Sequence, residues 1–475
     1  MHKLAWVWGL KIKLLYILEA MNTPLEALRH YFQSGETQPF AFRLLQLKRL
    51  KQLVLDNEHA LSKALHSDLK KSNEESWATE IGFFLNELNY TIEHLKGWMQ
   101  PTSVPTNLLN QPSTCYTVQE PLGVVCIIAP WNYPFQLLFT PLIGAIAGGN
   151  CVVLKPSEFA PATAAVMRKI ISELFPENYI LYVEGDGAEV LPLMFASFRF
   201  DHIFYTGSTA VGKIIYKQAA EKLTPVTLEL GGKSPAIIAL DANIRVAARR
   251  IVNSKFSNCG QMCVAPDYVL VPSALKQVLI DEIIKAIEQF YGKDTANSEG
   301  YGKIINERQW QRLISYLTDG KVIYGGKSDL ASLHIEPTIM TDLSLDSKIM
   351  QDEIFGPILP ILTYDSNEAA LEIIQRNPNP LAFYVFTNDT ATEQYWLTNV
   401  PSGGACVNNT SWHLTNHALP FGGRGASGMG GYHGKLSFTT FTHMKSVMKT
   451  PTWIDPDLKY PPYKGKGWLL KKLIG

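Results

Sequence analysis

The chain has 475 residues, enough for two or three domains, since single hydrophobic cores rarely grow past about 250–300 residues. Apolar residues make up 46% and charged residues 18%, which excludes a disordered chain. Forty-three basic residues balance forty-three acidic ones, so no net field favours nucleic acid or an anionic membrane, and a small molecule is the default ligand.

The six cysteines are sparse, and several sit in apolar runs. That usage points to reduced thiols in a cytoplasm-like compartment rather than to a disulfide framework. Cys259 and Cys263 form a C-x3-C pair. Neither a C-x-x-C nor a histidine pair at ligand spacing accompanies them, so no metal is expected.

In chain order, residues 1–20 begin with a short apolar run, Leu4 to Leu10, interrupted by Lys11 and Lys13. Leu18-Glu19-Ala20 is a poor cleavage signal. Thr23-Pro24-Leu25-Glu26 is a capping box with proline at the first helical position, so a helix starting there needs nothing upstream. Residues 1–20 are therefore expected to be an extension or the product of an early start codon. To about residue 100, Leu, Lys, Glu and Ala recur at helical spacing, until Pro101, Pro105 and Pro112 break the pattern.

Short apolar runs then follow at Val124–Ala129, Cys151–Leu154, Tyr179–Val183 and His202–Tyr205, with helical patterns between most of them. The alternation predicts a parallel sheet covered by helices. Thr227–Leu230 and Ala236–Leu240 flank a Gly231-Gly232 turn. Beyond it a second α/β region runs from about 232 to 430, with helices near 241–255 and 273–291 and strands at Tyr268–Val271 and Ala382–Phe386. The last residues, Lys464 to Gly475, are basic and apolar. They are shorter than the roughly 20 residues of a membrane span and read as a docked terminal helix or, alternatively, a segment lying on a membrane surface.

Four local patterns carry chemistry. Trp131-Asn132-Tyr133-Pro134 follows a strand, and Pro130 and Pro134 bracket a rigid turn. The turn is either structural or aims the Asn132 amide as an oxyanion donor. Gly207 to Gly212 joins a strand to a helix and exposes backbone N–H groups suited to a phosphate. Lys213 makes it resemble a P-loop, but Ile214 stands where a magnesium-binding hydroxyl is needed, and a plain strand-to-helix turn reads equally well. Glu229 lies at an apolar strand end. It is either a carboxylate whose burial suits a general base, or a strand-end glutamate facing water or Lys233. In Asn258-Cys259-Gly260-Gln261-Met262-Cys263, both thiols would be core residues on the commonest reading. The polar residues around Cys263 speak against that for Cys263, whereas Cys259, nearer to Phe256, reads as structural.

Taken together and in order, these motifs resemble the aldehyde dehydrogenase superfamily. The chain shows PWNYP at 130–134, LKPSE at 154–158, TGSTAVG at 206–212, LELGGKSP at 228–235, GQMC at 260–263, EIFGP at 353–357 and LPFGG at 419–423. Cys263 follows Glu229 by 34 residues, as the family expects. The likeness spans about residues 23 to 450. Cys263 to Tyr268, Pro380-Leu381-Ala382 and Tyr432 to Lys435 followed by Ser437-Phe438 resemble the class 3 branch, which includes fatty and aromatic aldehyde dehydrogenases.

The resemblance implies an α/β fold with a Rossmann-type NAD(P)-binding domain at 21–102 and 122–231 and a catalytic domain at 232–431. It also implies a small β oligomerisation arm at 103–121 and 432–450, a C-terminal tail at 451–475, and a homodimer. It casts Cys263 as nucleophile, Glu229 as base for the hydrolytic water, and Asn132 with the Cys263 backbone N–H as oxyanion hole. Lys155 and Glu158 would hold the adenosine ribose. The pyrophosphate would lie near Gly207, Ser208, Val211 and Gly212, beside Leu230, and the nicotinamide half near Glu353 and Phe355. Glu158 favours NAD, with NADP accepted. Arg424 and Ala426 depart from many relatives and are expected to flank the substrate side. The expected reaction is oxidation of medium or long aliphatic or aromatic aldehydes to acids, in the cytoplasm or at a membrane surface. The same fold also houses CoA-acylating dehydrogenases, which typically lack the base that Glu229 provides, and non-catalytic binding or structural proteins.

Overall fold

The computed structural model describes residues 23–474; the expected extension over residues 1–20 lies outside the described residues. Residues 23–33 are helical and bury Leu25 and Leu28; Thr23 is already helical, and where the helix begins, and so the expected capping box, lies outside the described residues.

Five parallel strands form the core of the first sheet: Val124–Ile128, Cys151–Lys155, Ile180–Tyr182, His202–Thr206 and Val226–Glu229. Each matches an expected apolar run within a residue or two. Val124–Ile128 sits in the middle, with Cys151–Lys155 on one side and His202–Thr206 on the other. The chain order therefore reverses between Val124–Ile128 and His202–Thr206. In open α/β sheets such a switch point leaves a crevice at the carboxyl ends of the strands. The turns starting at Pro130 and at Gly207 leave the sheet there. The helix Gln136–Gly148 is buried along its whole length, as a crossover helix sandwiched between sheet and outer helices must be.

The second sheet has seven strands in the order Lys321–Tyr324, Thr338–Thr341, Ile358–Tyr364, Tyr268–Pro272, Pro235–Ile238, Ala382–Phe386 and Gly404–Val407. All pairings are parallel except that of Lys321–Tyr324 with Thr338–Thr341. Ile358–Tyr364 escapes a sequence reading because Pro360 interrupts it. Pro360 pairs with Met340 on one side, and pairing to Tyr268–Pro272 starts only at Ile361, so its missing N–H falls outside that ladder.

A third, small antiparallel sheet places Thr114–Pro121 between Thr102–Val104 and Thr442–Lys449. It begins at Thr442, later than the expected 432. Tyr432, Phe438 and Phe441 are buried, and the helix Lys435–Thr440 packs on Gln136–Gly148. Gly144 makes that contact close, because a Cβ there would meet the Ser437 carbonyl oxygen at 2.7 Å. Gly428–Met429 likewise returns to the first sheet and pairs with Val226–Glu229, Gly428 opposite Glu229. Residues 428–441 thus pack with the first domain, because their apolar side chains find its core. Among the described residues no helix is long and apolar enough to cross a membrane, and the tail ends in a short helix, Gly467–Ile474.

Candidate active site

A cavity of about 450 Å³ lies where the two large sheets meet. Glu229 and Leu230 enter its wall from the first sheet, and Met262, Cys263 and Val264 from the loop after the helix Ile244–Phe256. Phe83, Leu137, Trp412 and Phe421 make much of the rest apolar.

Glu229 closes its strand and is 2% exposed. Its backbone is held on both sides, since Gly207 N donates to its carbonyl at 3.0 Å and Gly428 faces it in the ladder. Neither carboxyl oxygen has a partner. Burial raises its pKa well above the usual 4.5, as desolvation disfavours the charged form. The alternative partner, Lys233, is taken: its ammonium pairs with Asp267 and donates to the carbonyls of Ile349 at 2.7 Å and Asp352 at 2.9 Å.

The loop to Cys263 is strained. Asn258, Cys259 and Gly260 have φ of 49°, 54° and 72°, three consecutive left-handed residues. Each non-glycine residue in that region costs on the order of 1–3 kcal/mol and persists only when its surroundings impose it. They do so here. Glu75 Oε1 accepts from Asn258 N at 2.8 Å and Ser257 Oγ at 3.3 Å. The Gln261 side chain bonds Asn258 O and Lys303 O, both at 3.0 Å, and accepts from Ile305 N. Gly260 passes so close to Gly356 that a Cβ would meet its carbonyl oxygen at 2.3 Å. Cys259 is buried at 1% exposure, as a structural thiol would be. Cys263 is partly exposed toward the cavity. Burial pushes its thiol up to about 12, helped by the Glu353 and Glu229 carboxyls, while N–H groups of Cys263 and Val264 favour the thiolate.

Asn132 sits behind the cavity wall rather than in it. Its Nδ2 donates to Gln261 O at 3.0 Å, which leaves one N–H of that amide for an oxyanion. Its backbone carbonyl accepts from Asn258 Nδ2 at 2.8 Å and from Lys71 Nζ at 3.2 Å. Lys71 is fully buried and paired at 2.6 Å with the equally buried Glu80, whose other oxygen accepts from Phe135 N and Gln136 N.

Glu353 is partly buried outside the cavity lining, with its Oε1 inaccessible and unpartnered. Gly231 lets it approach, as a Cβ there would lie 1.8 Å from Glu353 Oε2. Its pKa is pushed up to about 8, first by burial and then by Asp267. Lys255 is fully buried with an unpartnered ammonium, and burial lowers it to about 8. Phe355, at φ 48°, sets its ring edge-on to Trp131 with centroids 5.3 Å apart.

The expected cofactor residues share one edge of the first sheet. Lys155 ends its strand and donates to Glu158 at 3.2 Å; Glu158 in turn accepts from Gly187 N at 3.4 Å. Ser208 caps the helix Thr209–Glu221 by accepting from Val211 N, so that helix starts beneath the turn. Gly207 and Gly212 have no room for side chains, because a Cβ would meet Tyr205 Oη at 2.3 Å and Leu230 Cδ2 at 2.7 Å. Open backbone N–H groups at this helix N-terminus, beside the partly exposed Glu158, fit a dinucleotide. Arg424 and Ala426 do not flank the cavity. They lie on an exposed turn where Ala426 O accepts from Thr209 Oγ1, because the pairing of Gly428 with Glu229 draws the turn to the edge where Thr209–Glu221 begins.

Lys71, Glu75, Glu80, Asn258, Gln261 and Lys255 were not legible as site residues. Lys71, Glu75, Glu80 and Lys255 stand in unremarkable sequence windows, and each of the first three bonds a residue 55 or more positions away. Only the cluster of amides around Cys263 hinted at Asn258 and Gln261.

Residues 19–447 match the family described as the aldehyde dehydrogenase family. The chain is 46% identical to a 4,4'-diaponeurosporen-aldehyde dehydrogenase of Staphylococcus aureus over 438 residues, covering 92% of this chain and 95% of that one. It is 42% identical to a dimeric NADP-preferring aldehyde dehydrogenase of Canis lupus familiaris, covering 94% and 99%. A solved substrate-bound state of Staphylococcus aureus AldH superposes with a TM-score of 0.93 at 45% identity, covering 95% of this chain and 99% of that one.

A carboxyl with a raised folded pKa binds its proton more tightly in the folded chain than in the unfolded one. The contribution of Glu353 to stability is therefore complete below about pH 4.5 and is lost as pH rises through about 8. Melting curves between pH 5 and 9 should fall more steeply for the wild type than for Glu353→Gln, by about 2 °C or more. Equal slopes would show that Glu353 is already ionised in the folded protein at neutral pH.

Proposed function

The chain belongs to the aldehyde dehydrogenase family, whose members oxidise aldehydes to carboxylic acids with NAD(P)+, and we propose that Cys263 is its nucleophile and Glu229 its hydrolytic base. The observation that carries this reading is the presence, in the wall of one cavity, of Cys263 and of a buried carboxyl, Glu229, that has no hydrogen-bond partner. A buried carboxyl of raised pKa accepts a proton readily, which is what activating a thiol or a water requires.

The Cys263 thiol passes its proton to a carboxyl, and the thiolate attacks the aldehyde carbon. The oxyanion of the resulting thiohemiacetal would take the Cys263 backbone N–H as donor, and the remaining Asn132 N–H would join it only if that amide, which stands behind the cavity wall, turns toward the bound substrate. Bound NAD(P)+ supplies the hydride acceptor. Loss of hydride from the thiohemiacetal carbon leaves a thioester on Cys263. Water then adds to that thioester as Glu229 takes its proton; the C–S bond breaks, and acid and thiol are released. Glu353 and Phe355, opposite Trp131, would hold the nicotinamide end, and Lys155 and Glu158 the adenosine ribose.

Medium or long aliphatic and aromatic aldehydes are the proposed substrates, supported by the apolar walls of Phe83, Leu137, Trp412 and Phe421. A homodimer is proposed from the edge strand Thr442–Lys449, which leaves Met444 and Met448 half or more exposed, and from the canine relative's description as dimeric. Light scattering should give twice the chain mass; a monomer at micromolar concentration would refute it.

Cys263→Ala should abolish NADH formation. Glu229→Gln should keep a first-turnover burst of NADH and lose about 100-fold or more in steady turnover, read by stopped flow with a medium-chain aldehyde. Wild-type turnover in Glu229→Gln would sink its role. Glu158 can accept from both ribose hydroxyls and repels a 2′-phosphate, so kcat/KM should favour NAD, with NADP accepted because the partly exposed side chain can swing aside. Glu158→Gln should narrow the ratio. A clear NADP preference in the wild type would show that Glu158 does not discriminate.

A further inference from the structure

The wall of the cavity carries charge of one sign only. Glu74 and Glu75, from the turn Asn73–Ser76, join Glu229 in its lining, and no lysine or arginine lines it among the described residues. His433, the one histidine in the wall, is buried and held neutral by desolvation, its pKa lowered to about 4. Glu75 is fixed in place, because its Oε1 accepts from Asn258 N at 2.8 Å on the loop that leads to Cys263. Glu74 is exposed at the cavity's outer side. The other polar residues there, such as Thr79, Asn253 and Ser254, are uncharged.

Like charges repel more strongly where water is scarce, so the half-buried Glu75 acts on a substrate in the cavity with less screening than the exposed Glu74. We propose that Glu74 and Glu75 act as specificity residues that admit neutral or cationic aldehydes and reject those with a second, anionic group. The same field acts on the product, which becomes a carboxylate only after the chemistry is done. A neutral aldehyde enters without penalty and the acid formed from it is repelled outward, so product inhibition is weak.

The inference rests on the aldehyde-oxidising reading, and the test separates the two. Initial rates of NADH formation would be measured for three aldehydes of matched length: 6-oxohexanoate, its methyl ester, and an ω-trimethylammonio aldehyde. At low ionic strength the ester and the cationic aldehyde should exceed the carboxylate by about 30-fold or more in kcat/KM, with repulsion at each glutamate contributing about three- to tenfold. Glu74→Gln should shrink the ratio while ester turnover stays within a few-fold; Glu75→Gln should shrink it further, and the double variant should bring it below about threefold, each read as the carboxylate-to-ester ratio within one variant so that a change in absolute rate from the Cys263 loop cancels. Glu75→Gln retains an acceptor oxygen for Asn258 and Ser257, so the loop geometry is preserved. An unchanged ratio in the double variant, or equal use of carboxylate and ester by the wild type, would overturn the proposal. Absence of NADH from the ester would instead overturn the functional reading. Calorimetry with adipate and its dimethyl ester then still decides the filter: binding of the diester alone supports it, and equal binding refutes it.

Discussion

The site depends on the buried ion pair of Lys71 with Glu80. Both side chains are fully inaccessible, and their charges are satisfied only by each other and by the turn that they hold. Glu80 caps the start of the helix Gln136–Gly148 through Phe135 N and Gln136 N. Lys71 reaches the Asn132 carbonyl and lies 3.9 Å over the Tyr133 ring. The same carbonyl receives Asn258 Nδ2, so a continuous chain of bonds runs from the outer helices through the 130–134 turn into the loop that carries Cys263. Removing either charge would leave the other buried and unpaired, at a cost of about 3–5 kcal/mol. Glu80 sits on a π-helical turn, Trp77–Ile81, which precedes the helix Gly82–Trp98. Such turns recur at functional sites, where the wider spacing re-aims a side chain.

Around this joint the protein departs from ordinary core rules in a limited region. Glu229 and Lys255 are buried, and Glu353 partly so, with polar atoms that have no partner. The Lys233–Asp267 pair, by contrast, is bonded throughout and also ties down Ile349, Asp352 and Ile354. That pair steadies the segment carrying Glu353 and takes up the one lysine near enough in sequence to neutralise Glu229. With Lys233 saturated by these bonds, Glu229 is left without a partner. An unpartnered buried carboxyl is costly in a structural setting, and it is retained where its proton affinity serves chemistry.

The first sheet was readable because its strands are short apolar runs separated by turn residues, and their burial depends on local pattern. The second sheet was less so. Ile358–Tyr364 contains a proline that is tolerated only because its neighbours pair out of step with it, and Gly404–Val407 is half-buried at an edge. The segment 432–441 looked continuous with the small sheet, yet Tyr432, Phe438 and Phe441 anchor it in the first domain. Which core an apolar residue enters depends on the space left by other elements, and no local window records that.

The site divides in the same way. By itself the sequence singled out the candidate groups: a thiol among amides, a carboxyl at an apolar strand end, a glycine turn opening a helix, and their order along the chain. Chemical identity and short-range spacing are local properties. Only the tertiary structure decided which carboxyl stands without a partner, that Asn132 supports the loop from behind, that Arg424 and Ala426 lie away from the cavity, and that its wall is acidic. Those outcomes depend on desolvation and on hydrogen bonds between residues far apart in the chain, such as Lys71 with Asn132, which needs the first domain to have folded, and Glu75 with Asn258, which exists only once the two domains have packed together.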